Sequence, residues 1–270
     1  MTIWAVGSLH GSPGATTLAM GLGAAWPATT GRARLVLEAD PDGGVLAARF
    51  DGLRADRTIA DAAVAMRREF DLDRLLSSTR TVWDGLPVMP AHPSAEQTTA
   101  VLVNAADRVA VGLASASELD VIVDVGRLTA RSPALPFAHR AVVTLLVSRT
   151  RFEDVACLTA RVPELRAAGV EPALVTVGAR PYEPADVAGE VGLPLLATLS
   201  HDPTSAAVLT GDGGADGRLR RSLLWRTICD LASQLLQHAA PPVVPSATVT
   251  CQNGDGQGSI AAPQAAVPGR

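Results

Sequence analysis

Residues 10–17 read HGSPGATT, and they stand between a short apolar run, residues 3–6, and a helical stretch, residues 16–25. Strand, glycine-containing turn and helix in that order is what a phosphate-binding loop requires. Gly11 and Gly14 allow the chain to turn tightly and to approach an anion without a Cβ in the way. Successive main-chain amides and the positive end of the following helix then point at the same place. Taken alone, such a motif is also compatible with an ordinary strand-to-helix turn whose glycines serve only packing.

The residues that could add charge to this loop are unusual in one respect. All 23 basic residues of the 270 are arginine, so no lysine is present to contact a phosphate or to move a proton. Carboxylates instead sit at the ends of two further apolar runs: Glu38 and Asp40 in LVLEADPDGG, and Asp124 in LDVIVDVG.

These three blocks together resemble the MinD/ParA family of deviant Walker ATPases. The family loop reads KGGxGKTT, and this chain matches it at Gly11, Gly14, Thr16 and Thr17. His10 stands for the family's signature lysine, Ser12 for a glycine, Pro13 occupies the free position, and Ala15 stands for the lysine that holds the β- and γ-phosphates. The resemblance implies ATP and Mg²⁺ as cofactors and residues 10–17 as the nucleotide loop. It also implies Thr16, Glu38, Asp40 and Asp124 around the metal, with Glu38 and Asp40 orienting an attacking water. Loss of the loop lysine removes a charge-assisted phosphate contact and a source of transition-state stabilisation, so weak or absent hydrolysis is expected. Arg127 and Arg131, beyond the second acidic block, are candidates to supply cationic charge. His10 is a cation only when protonated, a minority state at neutral pH for an ordinary imidazole. Gly178 replaces the asparagine by which many relatives recognise adenine.

The elements that must hold these residues follow from the hydrophobic pattern. Apolar runs at residues 3–6, 34–38, 86–89, 120–124, 141–147, 171–177 and 194–199 alternate with amphipathic stretches at 16–25, 95–114, 152–168 and 184–191. This predicts a doubly wound α/β fold with about seven mostly parallel strands and helices on both faces. A glycine- and aspartate-rich loop, residues 210–217, precedes a last helix. There Leu224, Ile228, Leu231 and Leu235 recur at helical spacing, a stripe suited to packing on the sheet and, less directly, to a membrane surface. Residues 1–238 are expected to form the domain. Residues 239–270, rich in Pro, Gly and Gln, are expected to be a disordered tail.

Composition narrows the functional classes. A net charge of −4 gives no global electrostatic drive toward nucleic acid, so direct DNA binding is not indicated. The three cysteines are widely spaced, with no CxxC pair, and suggest neither a zinc site nor a disulfide framework. No run reaches the roughly 18 apolar residues of a bilayer span and no secretory pattern opens the sequence, so a cytoplasmic location is expected, with peripheral attachment to the inner membrane face the variant. A short-chain dehydrogenase is set aside because the only tyrosine, Tyr182, has Asp186 rather than lysine four residues on. The expected function is that of a dimerising positioning or assembly factor, serving pilus or secretion machinery, chromosome partitioning or division-site placement through a protein partner. The alternative is a pseudo-ATPase scaffold that works without nucleotide.

Overall fold

The computed structural model describes residues 2–50, 57–65, 71–211 and 217–239. The expected tail and most of the expected glycine-rich loop lie outside them. An eight-stranded sheet is built from β1 (Thr2–Ser8), β2 (Ala33–Glu38), β3 (Arg80–Val82), β4 (Leu86–Met89), β5 (Leu119–Arg127), β6 (Val143–Arg149), β7 (Pro172–Val177) and β8 (Leu195–Leu199). The spatial order is β3-β4-β2-β5-β1-β6-β7-β8. All pairings are parallel except that of β3 with β4. β3 is the strand that the sequence pattern does not show. Three residues, Arg80, Thr81 and Val82, are too few for an apolar alternation to register, and an arginine suits an edge that must not recruit another strand.

The central strands are buried on both faces, so each contributes side chains alternately to two cores. Trp4 and Val6 of β1, Val36 of β2 and Ile122 of β5 meet α1 (Ala15–Ala25) and α10 (Leu223–Ala239) on one face. Ile3 and Ala5, Leu35 and Leu37, and Val121 and Val123 meet α5 (Ala95–Ser115), α7 (Phe152–Ala167) and α8 (Pro184–Val191) on the other. The shorter helices are α2 (Leu46–Arg49), α3 (Ile59–Ala65), α4 (Leu72–Ser77), α6 (Leu135–Arg140) and α9 (Pro203–Leu209). Leu224, Ile228, Leu231 and Leu235 of α10 are all buried in the first core, against α1 and β8. Their stripe is therefore consumed by packing. Among the described residues no helix is long and apolar enough to cross a membrane.

At the N-terminal edge of the sheet Asp120, fully buried, accepts from Trp26 Nε1 at 3.0 Å, from Thr2 Oγ1, and from Arg32 Nη1 at 3.0 Å. This network ties the first residues of β1 and β5 to the turn after α1. It stands at the end of the strands opposite the phosphate loop, and its buried carboxylate is fully partnered, so its role is structural.

Candidate functional site

Where β1 ends, the chain turns through residues 9–14 and enters α1 with Gly14 as the capping residue at φ 113°, a left-handed conformation that favours glycine. No side chain caps this helix and no acidic residue sits in its first turn. The first amides of a helix have no partner within it, so those at the start of α1 are left for an anion. The loop opens on a cleft of about 370 Å³ lined by Gly11, Ser12, Pro13, Gly14, Ala15, Thr16 and Thr17. Pro13 is buried in the wall and leaves the cleft open. His10 is exposed and is not part of the lining.

The opposite wall comes from Asp40, Asp42, Gly43 and Val45 after β2, Arg49 of α2, Gly126 and Arg127 at the end of β5, and Thr210. Between Val6/Gly7 and the facing residues of β5 the register slips by one residue, so that Val6 pairs with Asp124 and Gly7 with Gly126. Such a bulge re-aims side chains at a strand end. Gly126, at φ 58°, donates its amide to Asp124 Oδ1 at 3.0 Å. A Cβ on Gly126 would lie 2.0 Å from Asp40 Cγ, so the glycine is what allows the Asp40 carboxyl to come this close.

Asp124 is fully buried beneath the loop. Burial pushes its carboxyl up to about 6, against the lowering effect of hydrogen bonds from Thr16 and the Gly126 amide. Its Oδ2 has no hydrogen-bond partner among the described residues. A buried carboxylate oxygen without a partner, attached to a group that already engages the Thr16 hydroxyl, fits a hard divalent cation that prefers oxygen ligands. Asp40 is raised by burial too, while the Asp42 amide, donated at 2.9 Å, and the charge of Arg127 lower it.

Glu38 behaves differently from the sequence expectation of three carboxylates around one ion. Its Oε1 accepts from the amides of Val45 at 2.8 Å and Leu46 at 3.2 Å, and its Oε2 from that of Ala91 at 2.9 Å. Gly44 packs so closely that a Cβ there would lie 2.5 Å from Oε2. Glu38 thus fastens the loop after β2 and the end of β4, and it does not line the cleft. Burial, then the charge of Asp124, pushes its pKa up to about 7 despite the three amides. Of the three carboxylates Asp40 lines the cleft; Asp124 and Glu38 are both buried behind its wall, Asp124 interacting with Thr16 and Glu38 held by three amides. Among the described residues no group of three or more acidic, histidine or cysteine side chains is arranged to hold a metal by itself. An ion here would draw ligands from Thr16, Asp124, Asp40 and the phosphate it accompanies.

Of the two arginines considered from sequence, Arg127 lines the cleft, 3.8 Å from Asp42, and Arg131 does not. Two further arginines escaped sequence reasoning. Arg49 enters from α2, and Arg149, at the end of β6, donates from Nη2 to the Ser12 carbonyl at 3.0 Å. Arg161 of α7 likewise holds the Leu9 carbonyl at 2.6 Å. No spacing signal links Arg149 and Arg161 to a loop more than a hundred positions away; the sheet order, which sets β6 and the helix after it beside β1, brings them there.

No protein-family model matches the chain, and no curated protein matches it in sequence. Solved structures do. The ParA family ATPase of Chlorobium tepidum superposes with a TM-score of 0.69 at 16% identity, over 87% of this chain and 98% of that one. The septum site-determining protein MinD of Pyrococcus horikoshii, complexed with Mg-ADP, gives 0.67 at 17% identity over 88% and 97%. A Cyanothece McdA variant in complex with ATP gives 0.62 at 13% identity over 88% and 96%. With a mostly parallel sheet, helices on both faces and a glycine loop leading from β1 into α1, the chain has the fold of the MinD/ParA P-loop ATPases.

Proposed function

We propose that the protein is a nucleotide-binding member of this fold that acts as a dimerising positioning or assembly factor, with ATP and Mg²⁺ as its ligands and weak or no hydrolysis. The observation that carries the proposal is the pairing of uncapped amides at the start of α1 with a buried Asp124 that interacts with Thr16 and has one carboxylate oxygen without a partner. Structural neighbours with Mg-ADP and with ATP support the same ligand class. Another neighbour, from Aquifex aeolicus, is a MinD held in a complex with MinC, which supports a protein partner.

The chain's own groups divide the work. The amides from Gly14 onward bind phosphate oxygens without a lysine, Arg127 and Arg49 bring positive charge to the cleft wall, and Thr16 with Asp124 and Asp40 holds the divalent ion. When bound, Mg²⁺ neutralises phosphate charge. Ala15 offers no cation to the transferring phosphoryl group, and Glu38, fastened by three amides, is not placed to orient a water. Binding is therefore retained and turnover lost, which suits a switch read out by occupancy.

Titration with a fluorescent ATP analogue, in Mg²⁺ and in EDTA, tests this. Saturable binding that strengthens with Mg²⁺, accompanied by a shift from monomer to dimer in light scattering, is expected. No binding at millimolar nucleotide would leave the nucleotide-independent scaffold, the reading that the missing lysines and the engaged Glu38 favour.

A further inference from the structure

The loop that leads into α1 is held from outside, by side chains of other elements. Among the described residues no main-chain hydrogen bond joins one of residues 9–13 to another. Two of its carbonyls are taken by guanidinium groups instead. Arg161 Nη1, from α7, donates to the Leu9 carbonyl at 2.6 Å, and Arg149 Nη2, from the end of β6, donates to the Ser12 carbonyl at 3.0 Å. Cys157, one turn before Arg161, adds its thiol to the same Leu9 oxygen at 3.7 Å. Arg149 Nη1 also stands 4.0 Å from the point where Gly11 would carry a Cβ, so its guanidinium lies against the loop. Neither arginine lines the cleft, so any effect on an anion there passes through the loop's main chain.

The two peptide units gain different things from these contacts. The nitrogen that follows the Ser12 carbonyl is that of Pro13, so this unit has no amide to offer an anion and only an oxygen that would repel it. Arg149 occupies that oxygen. The Leu9 carbonyl shares its peptide with the His10 amide, and in a trans peptide the two point in opposite directions, so fixing one fixes the other. A cation on the oxygen also polarises the N–H, which strengthens it as a donor. Both arginines are half-buried, and among the described residues Arg161 forms no ion pair, so no contacting carboxylate cancels its charge. A loop ordered before its ligand arrives avoids the ordering cost at binding.

We propose that Arg161, together with Arg149, is a positioning residue of the phosphate loop, fixing its main chain in the empty protein and taking over part of the work of the cation that Ala15 does not supply. The gain in affinity rests on nucleotide binding at the loop, as proposed above; the holding of the empty loop does not.

Arg161 is the residue to change, because Arg149 also borders Val177 and Gly178 and is not confined to the loop. In the free protein, NMR order parameters of the Gly11, Ser12, Gly14 and Ala15 amides are expected near the rigid value of about 0.85, and in R161M to fall below about 0.6, with β1 and α7 unchanged. Titration with ATP in Mg²⁺ is expected to show affinity about tenfold weaker in R161M. R161K, which keeps a donor and the charge, is expected to lose less. R166M makes the same charge change farther along α7, where Arg166 pairs with Glu171, and is expected to bind as the parent does. If R161M does not fold, R161Q replaces it and is held to the same outcomes. Unchanged loop order in R161M overturns the positioning role, and so does an affinity loss that R166M shares or that R161M fails to show when the parent binds. A parent that binds no ATP refutes the proposed function instead, and the order parameters then decide the positioning role alone.

Discussion

Restoring the missing lysine is the sharpest perturbation of the loop. Ala15 is the first residue of α1, only 8% exposed, and it lines the cleft, so in Ala15→Lys the new side chain is expected to extend into that space. A charge-assisted contact with phosphate contributes roughly 1.5 to 3 kcal/mol. A cation at a helix N-terminus opposes this by about 0.3 to 1 kcal/mol through the helix dipole, a cost that weighs on the free protein and is cancelled when the phosphates arrive. Nucleotide affinity is therefore expected to rise by about tenfold to a hundredfold, and the free protein to melt slightly earlier. Calorimetric titration of the variant and the parent with ATP in Mg²⁺ measures the first effect and thermal melting the second. An unchanged dissociation constant in a variant that still folds would refute the idea that this loop is a phosphate site lacking only its cation.

Other perturbations bear on separate parts of the account. Asp124→Asn removes the ionisable carboxyl, and the Mg²⁺ dependence of nucleotide binding should vanish; in the parent that dependence should fade as pH drops through about 6, where Asp124 takes a proton. Gly126→Ala places a Cβ 2.0 Å from Asp40 Cγ at a φ of 58°, so it should displace Asp40 and weaken the Mg²⁺ effect, visible in the same titration. Arg127→Ala should lower nucleotide affinity by about tenfold or less, since the side chain is half exposed and screened, and the loss should shrink further in high salt. Glu38 has a folded pKa of about 7 against an ordinary 4.5, so folding favours its neutral form. The stability this confers is complete below 4.5 and is lost as pH rises through 7. Glu38→Gln should flatten the fall in melting temperature across that window, while lowering stability at acid pH because the NH₂ that replaces one carboxylate oxygen cannot accept from the amides that Glu38 holds.

Much of the architecture is legible in the apolar runs, because strands buried on both faces carry near-continuous Val, Ile and Leu. β5 and β1 announce themselves in this way. β3 does not, and neither do α2, α3, α4, α6 and α9, whose lengths of four to seven residues are below what a helical period needs to show. The loop was legible from Gly11, Gly14, Thr16 and Thr17, and the acidic strand ends from their position after apolar runs. What sequence could not separate was the fate of neighbouring carboxylates. Glu38 and Asp40 are two residues apart, yet Glu38 is taken by the amides of residues that follow it and by Ala91, while Asp40 reaches the cleft because Gly126 has no side chain. Those outcomes depend on contacts across the sheet. The same is true of Arg149 and Arg161, which come from β6 and α7 to hold the loop's carbonyls.

A crystal grown with Mn²⁺ and ADP, examined for anomalous scattering, addresses the site directly. An anomalous peak beside the Thr16 hydroxyl and the Asp124 carboxylate, with the β-phosphate against the first amides of α1, is the predicted result. Nucleotide bound elsewhere, or a loop left empty with Asp124 Oδ2 still without a partner, would contradict it.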